Sequence, residues 1–577
     1  MSLAYRLLKK YYKNLKIFGY PSGASCGSWK IPPGWDVKKA LLTDPKGKVI
    51  ANWSKNKLSL WTYSPSFKGK IKKEKLLKKI VSNPSKPNAT IFHFRNQYNF
   101  WKTNWGFSLP YNIHKNLKKG EYKVDINTSF FKGKLEMAEQ IHKGKLGDSF
   151  LLVGHFDHPQ MCLDGLVGCL AGHEAISRLK NTKTNLTYRM LSTVEIIGSV
   201  FYAKYHAKKN KIQQALFVAA AGAPKNLHYQ FSFSKNNAVD RICVHVIKYF
   251  EKNLKTHDFR KGPLGNDEIA LDVGGIGIPC GSIMRGPFDS YHTDNDVPSG
   301  VSSKKFEETV LVLQEIIHIL ENNSILKREF TGLPRLNSKK FNLYLQPSYV
   351  SGAKQKFKID NQLSMNMPKK IMEYLNKNTH KFNHLMNSLP NMCEGDKTIL
   401  DVAEFVGLPF RLVENYVNMW VEKNLIKKVW IHPFKKRAKA QNFRLRRALA
   451  RRGSEKGLYS TGTGITLEYH TKSGTMLKKG KLNWDVFWAK VQIGGEKAIT
   501  GIKAMQIGMM KAVGIAMSAL TYASIAYIAF EGINAQISVP EYRWDDFILS
   551  LEKFTPFASI PIKKAVNGLN LHTAFLS

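Results

Sequence analysis

The sequence is short of acidic residues, and its few cysteines are not arranged in pairs. It has 43 Asp and Glu residues against 88 Lys and Arg residues, so the formal net charge of its 577 residues is +45. Such a charge favours polyanionic partners such as nucleic acid or anionic lipid, although lysine spread along residues 1–430 is also what compositional bias produces. The six cysteines form no CxxC pair, which argues against a disulfide framework or a structural zinc knuckle and favours a reducing cytoplasm.

Long hydrophobic runs are missing from the first 500 residues. The N-terminal segment MSLAYRLLKKYYKNLKIF is basic and lacks the apolar core and cleavage site of a secretory signal. Residues 512–530 carry no charge, and their length lies at the short end of a membrane span. Their moderate apolarity fits a buried helix equally well, so membrane contact and burial both stay open. A basic run after residue 431 is typical of a solvated tether or a polyanion-binding arm.

The pattern of apolar, polar and turn-forming residues divides the first 430 residues into three predicted parts. Residues 36–128 alternate short β-rich runs with turn clusters, which predicts an antiparallel β module. From about 130 to 330, apolar strands alternate with helical patterns, which predicts an α/β sheet with ligands at the carboxyl ends of its strands. Residues 366–430 contain helical patterns joined by a Gly-Leu-Pro turn, which fits either a winged-helix-like module or a plain helical domain.

The stretch GHFDHPQMCLDG, residues 154–165, directly follows the apolar run at 150–153. His155 and Asp157 are two residues apart, so at an extended strand end both point to the same side. Asp164 follows after a loop. Imidazole nitrogens and carboxylate oxygens are the ligands of zinc in hydrolases, and one carboxylate can bridge two metal ions. Asp157 would then be the outer partner that orients His155.

Three more polar groups follow apolar, strand-like runs further along the chain. They are Glu195 in VEIIGS, Asp267 with Glu268 in NDE, and His292 in YHTDND. Because the carboxyl ends of parallel strands meet at one edge of a sheet, all of them can converge on one rim. From the residues alone, a metal site and a set of structural polar side chains both stay open.

The order HFDHP…DG, VEIIGS, NDE and YHTDND resembles the zinc aminopeptidase superfamily. The closest resemblance is to a bacterial aminopeptidase-like branch with an inserted β domain and a C-terminal winged helix. Further segments that resemble this branch are PSG (21–23), WKIPPGWDV (29–37), NWGFSLPYN (104–112), KGEYKV (119–124), GSIMRGPFDSYHT (281–293) and GDKTILDVAEFVGLPF (395–410). The resemblance covers about residues 1–430.

The resemblance implies an architecture for the chain. It implies a mixed, mostly parallel sheet with flanking helices, of the phosphorylase or zinc-exopeptidase type. The implied catalytic domain comprises residues 1–35 and 129–345, with residues 36–128 inserted as an antiparallel β domain. Residues 355–430 would form the winged-helix-like domain, and residues 431–577 remain an unassigned extension.

The resemblance also implies a role for each matching side chain. The implied metal ligands are His155, Asp164, His292 and Asp267. The implied catalytic residues are Glu195, as the general base, and Asp157, which would orient His155. Glu268 is expected to bind the metal or the substrate amine, and Asp296 is expected to lie beside His292. His158 is interpreted as a local structural histidine that could also replace a missing ligand.

Two positions depart from the superfamily pattern. Its Glu-Glu pair is here Glu195-Ile196, and its Asp after the next strand is replaced by Gly222-Ala223-Pro224. A single zinc with an open position for water stays physically sensible, so one or two zinc ions are expected.

Two functions therefore stay open. The first is a zinc-dependent amide hydrolase acting on a small amide, a peptide or an acylated sugar, which the resemblance links to surface-glycan synthesis. The second is a catalytically degenerate peptidase scaffold that binds polyanions such as nucleic acid, or a membrane-associated partner through residues 512–530.

Overall fold

Eight strands form one sheet in the region where the sequence predicts an α/β domain. The computed structural model describes residues 2–344 except 13, 103 and 263–264, then residues 363 and 367–435, and three short strands within 460–482. In chain order the eight strands are β1 (Leu15–Pro21), β2 (Lys134–His142), β3 (Ser149–His155), β4 (Thr187–Thr193), β5 (Ile212–Ala219), β6 (Leu227–Gln230), β7 (Lys255–His257) and β8 (Cys280–Arg285).

The strands lie in the order β1-β2-β4-β3-β5-β8-β6-β7 across the sheet. The central strands β4, β3, β5 and β8 are mutually parallel. On one side β2 pairs antiparallel with both β4 and β1, and on the other β6 pairs antiparallel with β8 and parallel with β7. The predicted mixed, mostly parallel sheet with flanking helices is confirmed.

Strand β3 shows why this sequence forms a central strand. All seven of its residues are buried, as expected for a parallel strand that is covered on both faces. Phe150 and Leu152 enter one hydrophobic cluster, while Leu151 and Val153 enter another on the opposite face. Burial of each such side chain contributes about 1.5–3 kcal/mol, so the strand that carries His155 is firmly held.

Helices cover both faces of the sheet. They are α1 (Ser2–Tyr11), α2 (Leu166–Ser177), α3 (Ile197–Tyr202), α4 (Ala238–Phe250), α5 (Glu268–Leu271) and α6 (Ser303–Asn322). Helices α2, α4 and α6 share the cluster that contains Phe150, and α3 and α5 share the cluster that contains Leu151. Helix α3 continues as a π-helical turn at Ala203–Ala207.

A second sheet forms within the segment predicted as an inserted β domain. Its four antiparallel strands, in spatial order, are Val49–Asn52, Gly34–Thr43, Glu121–Phe131 and Phe67–Lys72. The smaller elements of this segment are the strand pair Ile80–Val81 with Phe107–Ser108 and the helices Lys73–Leu77, Arg95–Tyr98 and Tyr111–His114. The strand pair Ser25–Cys26 with Trp29–Lys30 precedes the segment. The sheet has a hydrophobic cluster of its own, which includes Leu42, Phe107 and Tyr122.

Among the described residues of the first 435, four α-helices and a small sheet follow α6. The helices are α7 (Lys369–Lys377), α8 (Thr379–Ser388), α9 (Ile399–Val406) and α10 (Phe410–Glu422), and the three antiparallel strands are Glu394–Thr398, Ser324–Arg328 and Ile426–Trp430. Helix α9 begins with a capping box between Thr398 and Asp401 and ends at Gly407, whose φ of +67° suits glycine. The winged-helix assignment and the predicted domain boundaries stay predictions.

The chain divides into two units, Met1–Lys436 and Arg437–Ser577. In the second unit, strands Ser460–Thr461, Gly464–His470 and Met476–Leu482 form an antiparallel sheet. Residues 512–530, where the sequence leaves a membrane helix open, lie outside the described residues. Within the described part of the chain, no helix combines the length and apolarity needed to cross a bilayer.

Candidate metal centre

The carboxyl ends of the parallel strands bring the predicted polar residues to one edge of the sheet. Strand β3 ends at His155, β4 ends two residues before Glu195, and β8 ends seven residues before His292. Asp267 comes from the turn that precedes α5. Side chains that lie far apart in sequence therefore meet around Asp164.

His155 is fully enclosed and lies between two carboxylates. Its Nε2 is 3.0 Å from Oδ1 of Asp164, and its Nδ1 is 3.3 Å from Oδ2 of Asp267. Burial alone lowers the pKa of His155, but hydrogen bonds and charge from the two aspartates outweigh it and raise the pKa well above its usual value. A histidine held at Nδ1 by a carboxylate, with Nε2 turned inward, has the arrangement of a metal-ligating histidine.

Asp164 is the shared carboxylate of the cluster. Its Oδ2 lies 3.0 Å from Nε2 of His292 and 3.9 Å from Nε2 of His158. This oxygen is buried, yet among the described residues no partner offers it hydrogen-bond geometry. Burial raises the pKa of Asp164, but the neighbouring His158, His155 and His292 bring it well below the usual value.

The loop that carries Asp164 is fixed by a second carboxylate and by a glycine. Asp296 accepts the backbone N–H of Leu163 at 2.8 Å and that of Asp164 at 3.0 Å. Burial raises the pKa of Asp296, while these backbone N–H groups lower it. A Cβ at Gly165 would come 2.2 Å from Cδ2 of His155, so only glycine fits there. Asp296 thus supports the bridging carboxylate, whereas the resemblance implies a place beside His292.

His158 lies at the centre of the cluster. Its side chain is 2% exposed, and its Nε2 is 3.5 Å from Oε2 of Glu195. Its Nδ1 lies 3.6 Å from Oδ1 of Asp157 and has no hydrogen-bond partner among the described residues. The sequence favours a local structural role for this histidine, and the structure places it among the candidate ligands instead.

Asp157 and Asp267 occupy different places from those the sequence implies. Asp157 faces Glu195 and His158 and accepts the N–H of Glu195 at 3.3 Å. Burial and the charge of Glu195 raise its pKa to about 6, against the opposing effect of His158. Asp267 stands behind His155, where the sequence places Asp157, and its Oδ1 accepts the N–H of Ile196 at 2.9 Å.

The remaining predicted residue, Glu268, binds side chains outside the cluster at Asp164. It is fully buried and accepts from Gln230 Nε2 at 3.0 Å and from Arg260 Nη1 at 3.3 Å. Burial raises its pKa, while its hydrogen bonds and Arg260 lower it. The sequence analysis did not identify Asn266, whose amide donates to Oε1 of Glu195. Its position next to Asp267 in the sequence was the only indication that it could lie at the site.

The donor set fits a zinc ion. His155, His158 and Asp164 form one group of possible ligand atoms within 4.8 Å of one another, and Asp157, His158 and Glu195 form a second. Ligands at about 2.0 Å from a tetrahedral zinc lie about 3.3 Å apart. The 3.0–3.9 Å separations around Asp164 bracket that value. Among the described residues, the buried Oδ2 of Asp164 and Nδ1 of His158 lack a partner with hydrogen-bond geometry, which gives the chemistry of a cation site.

Known proteins share this fold. A "Putative polysaccharide biosynthesis protein with aminopeptidase-like domain" from Clostridium acetobutylicum is 28% identical over 312 residues, which cover 54% of this chain and 70% of that protein. A crystal structure of a "putative peptidase" from the same organism superposes with a TM-score of 0.60 at 23% identity, over 74% of this chain and 90% of its own. That likeness shows the peptidase-like α/β fold.

A more distant similarity reaches the zinc aminopeptidase of Bacillus subtilis, with a TM-score of 0.41 at 12% identity over 54% of this chain and 87% of that one. It is too low to bear on the function of this chain. The family described as a domain of unknown function, DUF4910, matches residues 3–323, which are more than half of the sequence. The chain belongs to the DUF4910 family.

Proposed function

We propose that this protein is a zinc-dependent amide hydrolase of the aminopeptidase type. The observation that carries the proposal is the bridging position of Asp164, with imidazole nitrogens of His155 and His292 each 3.0 Å from one of its oxygens. The name of the C. acetobutylicum relative, which includes an aminopeptidase-like domain, supports the same reading.

Three side chains would hold the metal, His155, His158 and Asp164, because one atom of each lies within 4.8 Å of the other two. His292 belongs to neither group, and we propose it as a further ligand because its Nε2 lies 3.0 Å from Oδ2 of Asp164. Asp267 would keep the Nδ1 proton of His155 in place, so that Nε2 stays free to bind. Bound zinc supplies Lewis-acid chemistry, because it acidifies water and polarises a carbonyl oxygen. The second group, Asp157, His158 and Glu195, shares His158 with the first; with a single zinc on the first group, Glu195 would stay free to act as a base.

Glu195 is the proposed general base. Its carboxylate lies at the open side of the cluster, 14% exposed, and faces His158 at 3.5 Å. There it can take a proton from the attacking water and pass it to the leaving amine. The amide of Asn266 donates to Oε1, which holds the carboxylate, and Asp157 accepts the backbone N–H of Glu195, which holds the main chain.

Aromatic residues of the β-rich segment wall the site, which supports the proposal that this segment limits substrate size. The ring of Phe92 lies 5.3 Å from that of His158, and the ring of Phe94 lies 5.4 Å from that of His292. The hydroxyl of Tyr98 is 3.5 Å from the backbone oxygen of Glu195. A site with an aromatic wall suits a small amide, and the name of the relative, which includes polysaccharide biosynthesis, favours an acylated sugar.

The test is zinc content and amide hydrolysis for the wild type and Glu195→Gln. Glutamine keeps the shape but cannot take the proton, so we expect zinc to stay bound while the rate falls by about 10²- to 10⁴-fold. Glu174→Gln, at a half-buried glutamate of α2 away from the cluster at Asp164, is the control and should keep the full rate. A wild type that binds no zinc, or a Glu195→Gln variant at full rate, contradicts the proposal.

A further inference from the structure

The loop that carries His292 is paired with a segment from the β-rich region. The backbone N–H of Phe92 donates to the carbonyl of His292 at 2.9 Å, and the N–H of Asp294 donates to the carbonyl of Thr90 at 3.1 Å. Between them Ile91 and Thr293 form an antiparallel bridge. Two short stretches of chain, 200 residues apart, thus form a small ladder directly at the candidate metal ligand.

Asp294 locks this ladder with both carboxylate oxygens. Oδ1 accepts the backbone N–H of Thr90 at 2.9 Å, and Oδ2 accepts Nδ2 of Asn56 at 2.8 Å. Asn56 is itself fixed, because its Nδ2 also reaches Oγ1 of Thr90 at 3.0 Å and its Oδ1 accepts the N–H of Leu58 at 3.0 Å. We call Asn56, Thr90 and Asp294 the clamp.

The backbone of His292 needs such support. Its φ of +54° lies in the left-handed region, which a residue with a Cβ adopts only where the surroundings hold it there. The ring of His292 also stacks on Tyr291 at 3.9 Å between centroids and meets the edge of Phe92 at 5.6 Å. Because φ at residue 292 affects the direction of the imidazole, a change in the clamp would move Nε2 relative to Asp164.

We infer that Asp294 is a positioning residue for the metal site, and that Asn56 and Thr90 make zinc affinity depend on the β-rich segment. The inference rests on the proposed function, because it takes His292 as a ligand. Asp294 does not itself bind the metal, since both of its oxygens are engaged in the clamp. If these contacts only stabilised the fold, their loss would lower stability and leave the affinity for zinc unaltered.

The test is the zinc dissociation constant of the full chain, measured by competition with a chromogenic chelator. Loss of a group that orients a ligand weakens metal binding by about 10- to 100-fold, and we expect this for Asp294→Ala. Asp289→Ala is the matched control, because the Asp289 carboxylate is 98% exposed, and it should bind zinc like the wild type. Thermal unfolding in excess chelator reports the stability of the metal-free chain separately.

A reciprocal swap tests the contact itself. Asn56→Asp alone places two carboxylates face to face and should weaken zinc binding. Combined with Asp294→Asn, the new amide at 294 donates to the new carboxylate at 56, while its oxygen still accepts the N–H of Thr90. We expect the double variant to return to within about threefold of the wild-type affinity, since coupled neighbours compensate each other.

The outcomes separate the two proposals. If the wild type binds zinc and Asp294→Ala binds it equally well with a lower melting temperature, the clamp only stabilises the fold and this inference falls while the proposed function stands. The inference also falls if both single variants lose affinity and the swap does not restore it. If the wild type binds no zinc, the proposed function fails and this inference fails with it.

Discussion

Two buried histidines of the same domain show how different partners give the same side chain opposite properties. His155, at the end of β3, is 3% exposed and lies between the carboxylates of Asp164 and Asp267. His173, in the middle of α2, is fully buried, and its two ring nitrogens lie 2.8 Å from the neutral groups of Gln140 and Ser192. The pKa of His155 is raised well above the usual value, whereas burial lowers that of His173 to about 3.

The comparison teaches that burial alone does not mark a functional histidine. Around His173 every polar atom has a neutral partner and the ring stacks on Tyr12, so the group is complete as a neutral part of the core. The cluster at Asp164 contains more carboxylates than its imidazoles can pair, and no described residue gives the buried Asp164 Oδ2 or His158 Nδ1 hydrogen-bond geometry. A cation would balance these charges in the cluster, whereas the neutral surroundings of His173 offer a cation no ligand charge.

The largest effect that separates the two regions is expected from Asp164→Asn. The variant removes the one charge that both His155 and His292 face. Loss of the orienting partner of a ligand costs about 10- to 100-fold in metal affinity, so loss of the ligand itself should cost more than about 100-fold. Equilibrium dialysis with zinc measures this. His173→Gln should bind zinc like the wild type, and equal affinities for all three proteins would show that the cluster is not the metal site.

A smaller effect is expected from Asp267→Asn, which keeps the size of the side chain but removes the acceptor charge behind His155. We expect zinc affinity to fall by about 10- to 100-fold, because His155 loses its preferred tautomer. Asp240→Asn is a matched control, since its carboxylate is also buried but accepts from Tyr229 and Ser232. The control variant should have a lower melting temperature but the same affinity for zinc as the wild type. Unchanged affinity in Asp267→Asn would mean that Asp267 does not orient a ligand.

Much of the fold follows from pattern, since strand-helix alternation predicts the α/β sheet and the apolar run 150–153 predicts a buried strand. The meeting of His155, Glu195 and His292 at one edge follows because β3, β4 and β8 run parallel. The distance between His155 and Asp164 could not be predicted from sequence, because it depends on the path of an irregular loop. The same holds for the contacts that bring Phe92 and Phe94 from another sheet to the site.

The exchange of places between Asp157 and Asp267 has a similar cause. The two-residue spacing puts His155 and Asp157 on one side only if the chain stays extended, and β3 ends at His155. Beyond that point Asp157 turns toward Glu195, and Asp267 reaches Nδ1 of His155 from the turn before α5. Periodicity describes regular elements, so it gives no information on these two turns.

The smallest expected effect in the comparison of His155 with His173 is the contribution of His173 to the pH dependence of protein stability. The unfolded chain binds a proton at the usual pKa of 6.5 and the folded chain only near 3. Between these values the unfolded state holds more protons, so stability falls as the pH falls, by at most about 1.4 kcal/mol per pH unit from this group. His173→Gln removes the titrating group. Denaturant unfolding of the metal-free protein at pH 6.5 and 5.5 should therefore show a smaller loss of stability in this variant than in the wild type.

Glu174→Gln, at a partly exposed ion pair of the same helix, should shift stability by less than about 0.5 kcal/mol and keep the wild-type dependence of stability on pH. Equal slopes for His173→Gln and the wild type would mean that His173 already carries its proton in the folded chain, and the contrast with His155 would disappear.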